Sequence, residues 1–209
     1  MAEIRVFERL NIEFPEKEIF LRLGGNCFKT GLDESARLQL MQSSRYAFSL
    51  CQAQGRFAVL PLNGCRDDGV DIPDGFLQLG KDFSCQCSNA AYLWCGAVTI
   101  GEMLTAWRDN ALSVAAGAIA DAVGSECADG AMDALCAIAR NELCRQGLVL
   151  SGRRYSPGYG DMPLALQKFF YDKLNMAQMG VHLTDNHFLL PEKSVTAFAF
   201  IYNLQENQL

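Results

Sequence analysis

The stretch AAYLWCGAVTIG, residues 90–101, is apolar, rich in β-forming side chains, and bounded by Asn89 and Gly101. Such a run predicts a strand that is buried inside a sheet. The chain continues into EMLTAWRDN (102–110), which is helical in composition. We therefore expect a buried strand that delivers the chain directly into helical structure.

The segment 109–146 is the most helical part of the sequence. Its apolar residues form two stripes at helical spacing, separated by a candidate break at Gly130, and Gly147 is the expected C-cap. The first stripe consists of Leu112, Ala115, Ile119, Ala122 and Val123, and the second of Met132, Leu135, Cys136, Ala139 and Leu143. Because the first stripe is mostly small residues, neighbouring elements can approach its backbone closely. This pattern predicts long Ala-rich helices in the centre of the fold.

The flanking segments show both helix and strand patterns. Helices are predicted at 15–25, at 33–55, where Asp33 is the N-cap and Gly55 the end, and from Pro163 onward. Strands are predicted at 56–62, 148–156 and 195–202, and turns at 65–75. This order of elements predicts an α+β fold with a mixed sheet. We expect a single domain, with 1–89 as its N-terminal region and 90–209 as its core.

The charge balance limits the kinds of partner. The 209 residues carry 18 basic and 24 acidic side chains, a formal charge of −6. Without a dense Lys/Arg cluster, this balance argues against nucleic acid or an anionic membrane as a partner. The first twenty residues have charges every few positions and no apolar core. We therefore expect no secretory signal, no membrane span and a cytoplasmic location.

The cysteines do not form a recognisable framework. Nine are scattered through the chain, and the only histidines are His182 and His187. Without a secretion signal, a disulfide framework is not expected. Cys85 and Cys87 are one residue apart and no matching pair follows. The sequence therefore predicts no metal site.

The segment RRYSPGYGDMP, residues 153–163, holds two prolines and two glycines, so it cannot be the interior of a helix or a central strand. The Arg154 guanidinium can donate two parallel hydrogen bonds to one carboxylate. The glycines let a ligand approach the backbone, and the ring of Tyr159 can face a cation or a flat ring. These features suit a small zwitterionic ligand with an amino-acid end. A purely structural turn with exposed arginines is the alternative that the residues alone leave open.

This segment also carries a resemblance to a known family. RYSPGYGDMP, followed by Gln167 and then by GVHLTDNHFLLPEKSVTAF, resembles the activation domain of cobalamin-dependent methionine synthase, which binds S-adenosyl-L-methionine (AdoMet). The similarity covers roughly residues 90–202 and includes the Ala-rich AIADAVGSECAD. The matching motifs are R-x-x-P-G-Y (Arg154, Pro157, Gly158, Tyr159), G-x-x-L-T (Gly180, Leu183, Thr184), P-x-x-S-V (Pro191, Ser194, Val195) and V-T-x-G (Val98, Thr99, Gly101).

The resemblance implies a cofactor and a set of site residues. In that family, oxidised cob(II)alamin is reactivated when the methyl group of AdoMet passes to cobalt with one electron from a flavodoxin-type donor. By this resemblance Arg154 holds the AdoMet carboxylate, the backbone from Pro157 through Gly158 to Gly160 lines the ligand, and Tyr159 packs where AdoMet and the corrin meet. The family also uses a helix carboxylate, for which Asp129 is our candidate.

The chain departs from a complete synthase. It has no Asp-x-His-x-x-Gly cobalamin-ligating segment, and 209 residues cannot hold the homocysteine and folate domains. The expected function is therefore an AdoMet-binding reactivation factor, a stand-alone short form of the activation domain. Its expected partner is a methionine synthase lacking that domain, or another corrinoid protein, which carries the cobalamin. Two alternatives are a non-catalytic docking module for a corrinoid protein and an unrelated small-ligand enzyme on the same scaffold.

Overall fold

A computed structural model describes residues 3–25, 33–111 and 113–204 of the chain. It contains a five-stranded sheet, a three-stranded sheet, a two-stranded hairpin and six α-helices within the described residues. In chain order the elements are β1 (Ile4–Phe7), α1 (Glu16–Arg22), α2 (Glu34–Ser49), β2 (Gln54–Pro61), β3 (Gly64–Arg66), β4 (Gly69–Ile72), β5 (Gly75–Gln78), α3 (Lys81–Ser84), β6 (Ala90–Thr99), α4 (Met103–Asp109), α5 (Val114–Cys144), β7 (Leu148–Leu150), α6 (Gln167–Lys173), β8 (His182–Leu183), β9 (Leu189–Leu190) and β10 (Ser194–Asn203).

The main sheet has the strand order β1-β2-β6-β10-β7. The strand predicted at 90–101 is β6, which pairs with β2 on one side and with β10 on the other. The predicted α+β class is confirmed. All pairings in the sheet are antiparallel, although a mixed sheet was expected. Strands β6 and β7, which α4 and α5 connect, are not neighbours in the sheet. Strand β10 lies between them and pairs with both in the antiparallel direction, so no parallel pair forms.

Helix α5 runs across the sheet as one unbroken helix of 31 residues. The side chain of Ser113 caps it by accepting a hydrogen bond from the Ala116 N–H. The expected break at Gly130 does not occur, because an interior glycine costs only about 1 kcal/mol relative to alanine and the apolar stripe on both sides of it is buried. Gly147 adopts a left-handed backbone after the helix, with φ +70°. No helix within the described residues is both long and apolar enough to cross a membrane.

The two faces of the main sheet pack against different layers. Along β10, Ala197, Ala199 and Ile201 face α5, while Phe198 and Phe200 face α3 and α6. This alternation follows from the two-residue period of a strand. Ala197 and Ala199 of β10 are small and allow α5 to approach the sheet closely. The second predicted stripe of α5 packs there, whereas Ile119, Ala122 and Val123 of the first stripe pack against α2 and α4. Leu112, from the first predicted stripe, lies outside the described residues.

Three sequence-based boundaries were wrong. Helix α2 ends at Ser49, and Gly55 lies inside β2 rather than ending the helix. A Cβ on Gly55 would come within 2.8 Å of a Leu10 methyl carbon, so this glycine allows a close packing contact. The predicted turns over 65–75 instead form the sheet β3-β4-β5. The strand predicted over 148–156 stops at Leu150.

The structure also contains one disulfide, between Cys65 and Cys87. It joins β3 to the segment after α3, which the folding of the small sheet brings together. The sequence analysis expected no disulfide framework because the chain shows no secretion signal. The separation of 22 residues along the chain gave no sign that these two cysteines are close. The free cysteines within the described residues are Cys51, Cys85, Cys95, Cys127, Cys136 and Cys144.

Candidate functional site

A groove of about 560 Å³ lies where α5, β10 and the predicted binding loop meet. Its walls come from four parts of the chain that are distant in sequence. They are α5 (Asp129, Met132), the loop (Arg154, Tyr155, Ser156, Pro157, Tyr159), the start of α6 (Gln167), and the chain entering β10 (Glu192, Ser194, Val195, Thr196, Ala197). Its volume is within the roughly 300–1,000 Å³ of ordinary small-molecule sites.

Arg154 lies in this groove and is anchored to α5. Its Nη1 is 2.7 Å from an Asp133 carboxylate oxygen and donates a hydrogen bond to Cys136 Sγ at 3.6 Å. Burial lowers the pKa of the Arg154 guanidinium, but the contacts with Cys136 and Asp133 outweigh burial and raise it above its ordinary value. Both contacts use Nη1. Within the described residues, Nε and Nη2 make no hydrogen bond, so these two donors can fork onto a ligand carboxylate.

Arg153 and Arg154 are adjacent in sequence, but a turn gives their side chains different surroundings. The Ser151 hydroxyl accepts a hydrogen bond from the Arg153 N–H at 3.1 Å, which bends the chain as β7 ends. Arg153 is exposed, while Arg154 is half-buried against α5. The chain then returns to the sheet at Tyr155, which forms an isolated antiparallel bridge with Phe198. The two arginines therefore point differently because of this turn, and not because they alternate along a strand.

Asp129 lines the same groove from α5. Its side chain keeps 64% of its surface exposed, and its carboxylate is 3.9 Å from the Arg22 guanidinium. Burial and the neighbouring Glu126 raise the pKa of the Asp129 carboxyl above its ordinary value, against the opposing attraction of Arg22. A cationic ligand group would oppose both effects, since it favours the charged carboxylate. Asp129 thus gives the groove an acidic wall in addition to the cation of Arg154. Glu192 also lines the groove, but its carboxylate is paired with the Arg108 guanidinium at 2.5 Å.

The glycines of the loop shape a turn. Gly158 and Gly160 have positive φ angles, +90° and +58°, which residues with a side chain rarely adopt. The Gly158 N–H donates to the Met162 carbonyl at 3.0 Å, so it is already satisfied inside the loop. Neither glycine is among the residues that line the groove, whereas Pro157 and Tyr159 are. Tyr159 is 76% exposed and forms the rim.

The floor of the groove is an edge of β10 that no described strand covers. Strand β7 pairs only with 201–203, and Tyr155 covers only Phe198. The N–H and the C=O of Phe198 both form hydrogen bonds with Tyr155, on the side of β10 that faces away from β6. Because backbone direction alternates along a strand, the same groups of Thr196 point outward into the groove. The edge therefore offers a ligand one backbone donor and one backbone acceptor.

Gln167 is held in place by the same strand. The buried Thr196 hydroxyl donates a hydrogen bond to Gln167 Oε1 at 2.7 Å. With its oxygen engaged, the Gln167 amide presents N–H donors to the groove. The sequence analysis quoted Gln167 in its motif but assigned it no role, and it missed Asp133, Glu192 and Thr196. No local pattern marks these residues. Only the P-x-x-S-V motif, which surrounds Glu192, pointed to this region.

Asp161 connects the loop to α3. Its carboxylate accepts hydrogen bonds from the backbone N–H groups of Lys81 at 2.5 Å and of Asp82 at 3.4 Å. These are among the first N–H groups of α3, which have no partner within the helix itself. Asp161 thus caps α3 from a distant part of the chain and anchors the far end of the loop.

Replacing Asp161 by alanine is expected to lower the free energy of unfolding by about 1 kcal/mol, because α3 loses its cap. Asp161→Asn keeps an oxygen acceptor and is expected to lose less. Chemical denaturation of the purified variants measures both changes. The matched control is Asp185→Ala, since the exposed Asp185 side chain has no hydrogen-bond or ionic partner within the described residues. Equal losses at 161 and 185 would show that the cap contributes nothing.

Comparison with known proteins supports the fold. No family model matches the chain, and neither does any curated protein. Among solved structures, the chain is similar to the MetH reactivation domain bound to AdoHcy, with a TM-score of 0.60. The fold is that of the MetH reactivation domain. The match covers 93% of this chain and 79% of that chain at 16% sequence identity, so it shows the fold alone.

The described residues contain no group of three or more His, Cys, Asp or Glu side chains arranged to hold a metal ion. Cys85 is free, while Cys87 is bonded to Cys65. The residues that line the groove can recognise a ligand by charge, by hydrogen bonding and by an aromatic rim. A cation, acidic side chains and backbone groups lie around one volume, which suits a zwitterion with a polar ring system.

Proposed function

We propose that the chain binds AdoMet in the groove and supports the reductive methylation of cob(II)alamin on a partner protein. The observation that carries this proposal is that Arg154 and Asp129, the cation and the helix carboxylate selected in the sequence analysis, line the same groove. The fold supports it further, because the similar MetH reactivation domain was solved with AdoHcy bound. AdoHcy is AdoMet without its transferable methyl group.

The residues fit the ligand group by group. Arg154 Nε and Nη2 bind the carboxylate, and Asp129 favours the ammonium and the sulfonium by charge. The outward backbone groups of Thr196 and the amide of Gln167 are suited to hydroxyl and ring-nitrogen partners. Tyr159, on the exposed rim, is placed to contact a cofactor presented by the partner.

The protein contributes placement in this proposal. AdoMet supplies the methyl group, the partner's corrinoid supplies the cobalt, and a flavodoxin-type donor supplies the electron. The residues of the groove hold the ligand in one orientation and leave its outer side open toward the rim. Orientation of this kind lowers the barrier of a transfer between two bound groups. The partner is a methionine synthase lacking its own activation domain, or a related corrinoid protein.

Titration calorimetry on the purified chain is expected to show AdoMet binding with one-to-one stoichiometry. AdoHcy should also bind, because it keeps the carboxylate and the ammonium. Methylthioadenosine, which lacks the amino-acid end, should bind at least tenfold more weakly because it has no carboxylate for Arg154 to bind. No heat at millimolar AdoMet would contradict the proposal, since even a millimolar site corresponds to about 4 kcal/mol.

Reactivation is measured separately, with a corrinoid protein as partner. A methionine synthase without its activation domain, poised as cob(II)alamin, is mixed with AdoMet, a flavodoxin-type reductant and this chain. The absorbance of methylcob(III)alamin should appear only when the chain is present. AdoMet binding without any methylcobalamin would favour a ligand-binding module with another role. Binding to the corrinoid protein without AdoMet binding would favour the docking module.

A further inference from the structure

The groove shares one wall with a second cavity. That cavity has a volume of about 330 Å³ and lies between α4 and residues 180–192. Among the described residues, Glu192 is the only one that lines both the second cavity and the groove. The direction of its side chain therefore decides which of the two volumes receives the negative charge of its carboxylate.

Arg108 of α4 holds the Glu192 carboxylate on the side of the second cavity. Arg108 Nη1 donates a hydrogen bond to Glu192 Oε2 at 2.5 Å, and Arg108 lines the second cavity but not the groove. The Arg108 side chain is 22% exposed, so salt and water screen this contact less than an ion pair on the open surface. Arg108 Nη2 also lies 2.9 Å from the carboxylate of Asp109, which orients the guanidinium from its own helix. The charge of Glu192 is therefore held away from the ligand.

The main chain beside Glu192 is fixed by contacts that do not involve Arg108. The next residue, Lys193, donates from Nζ to Asp121 Oδ1 of α5 at 2.7 Å. The Lys193 carbonyl accepts a hydrogen bond from the Ile100 N–H at 3.2 Å. Asp121 is 3.8 Å from Arg108, which is too far for a hydrogen bond. Removing the guanidinium should therefore release the Glu192 side chain while the main chain keeps its place.

We propose that Arg108 is a positioning residue that sets the ligand preference of the groove, because by holding Glu192 it keeps a second carboxylate away from the ligand. This inference rests on the proposed function, in which the groove binds AdoMet. AdoMet carries a sulfonium where AdoHcy has a neutral thioether, so the two ligands differ by one positive charge. A carboxylate that turned into the groove would attract AdoMet more strongly than AdoHcy. Arg108 thus narrows the difference in affinity between the methyl donor and its demethylated product.

The experiment is titration calorimetry with AdoMet and with AdoHcy on the full chain and on Arg108→Gln. The ratio of the AdoHcy Kd to the AdoMet Kd is expected to rise about threefold in the variant, a modest change because the released carboxylate is half-exposed. A general loosening of the fold would weaken both ligands and leave the ratio unchanged. Arg108→Lys keeps a cation beside Glu192 and should leave the ratio nearly unchanged.

A matched control removes the same charge elsewhere. Arg66 of β3 pairs with Asp71 and does not line the groove, so Arg66→Gln should leave the ratio unchanged. The double variant Arg108→Gln/Glu192→Gln should return the ratio to that of the unaltered chain. The proposal is overturned if the double variant keeps the raised ratio, or if Arg108→Gln binds both ligands with an unchanged ratio.

Glu192→Gln alone gives the answer if Arg108→Gln does not fold. Its ratio should match that of the unaltered chain, because Glu192 is already held away from the ligand. A selective loss of AdoMet affinity in Glu192→Gln would overturn the inference, since it would show that the carboxylate already acts in the groove. An unaltered chain that binds neither ligand would overturn the proposed function as well. Binding of AdoMet together with either of the failed ratios overturns the role of Arg108 alone.

Discussion

Arg154→Ala is expected to weaken AdoMet binding by about ten- to a hundredfold, because a charge-assisted contact to a carboxylate contributes about 1.5–3 kcal/mol. Among the described residues, Arg154 pairs only with Asp133, whose side chain is 71% exposed, and with Cys136. Because the Asp133 side chain is largely exposed, losing this ion pair costs little stability. The loss of affinity should therefore appear in a protein whose thermal unfolding is nearly unchanged.

Two neighbouring variants show whether the effect is specific. Arg154→Lys should recover only part of the affinity, since an ammonium cannot reproduce the planar fork of donors. Arg153→Ala should change the binding free energy by less than about 0.5 kcal/mol, as for an ordinary surface substitution, because Arg153 is exposed and does not line the groove. Calorimetry with AdoMet measures all three. A larger loss at 153 than at 154 would place the ligand on the other side of the loop.

Phe198→Ala is expected to lower the free energy of unfolding by about 3–5 kcal/mol, the usual cost of truncating a buried aromatic ring. Phe198 is completely buried, and its ring packs against those of Phe83, Phe169 and Phe170. The backbone N–H and C=O of Phe198 both form hydrogen bonds with Tyr155, and this pairing attaches the binding loop to the sheet. The variant is therefore expected to lose AdoMet affinity as well as stability.

The chain provides a matched control for this substitution. Phe188 is the same residue type but is 60% exposed, so Phe188→Ala should change stability by less than about 0.5 kcal/mol. Phe198→Leu keeps part of the volume and should lose clearly less than the alanine variant. Urea denaturation monitored by circular dichroism measures each value. A loss below 1 kcal/mol at Phe198 would mean that this ring is not part of a tightly packed core.

Arg153 and Arg154 differ in burial for a reason other than the one that the sequence suggested. The sequence suggested a strand through 153 and 154, in which adjacent side chains point to opposite faces. The structure ends β7 at Leu150 and separates the two arginines by a turn. The Ser151 hydroxyl, which bends the chain, competes with the strand for backbone partners. This competition depends on the fold around it, so the residue types alone did not show it.

The sequence alone determined the elements whose signals are local. The apolar runs that became β6 and β10, the small-residue stripe of α5 and the Pro-Gly turn could each be predicted from periodicity and backbone restrictions, which act over a few residues. Only the tertiary structure decided the strand order, the uncovered edge at Thr196, and the meeting of Asp129 with Arg154. These depend on contacts between residues far apart in the chain. Such contacts are fixed by which apolar faces can be buried together, and no short stretch of sequence encodes that choice.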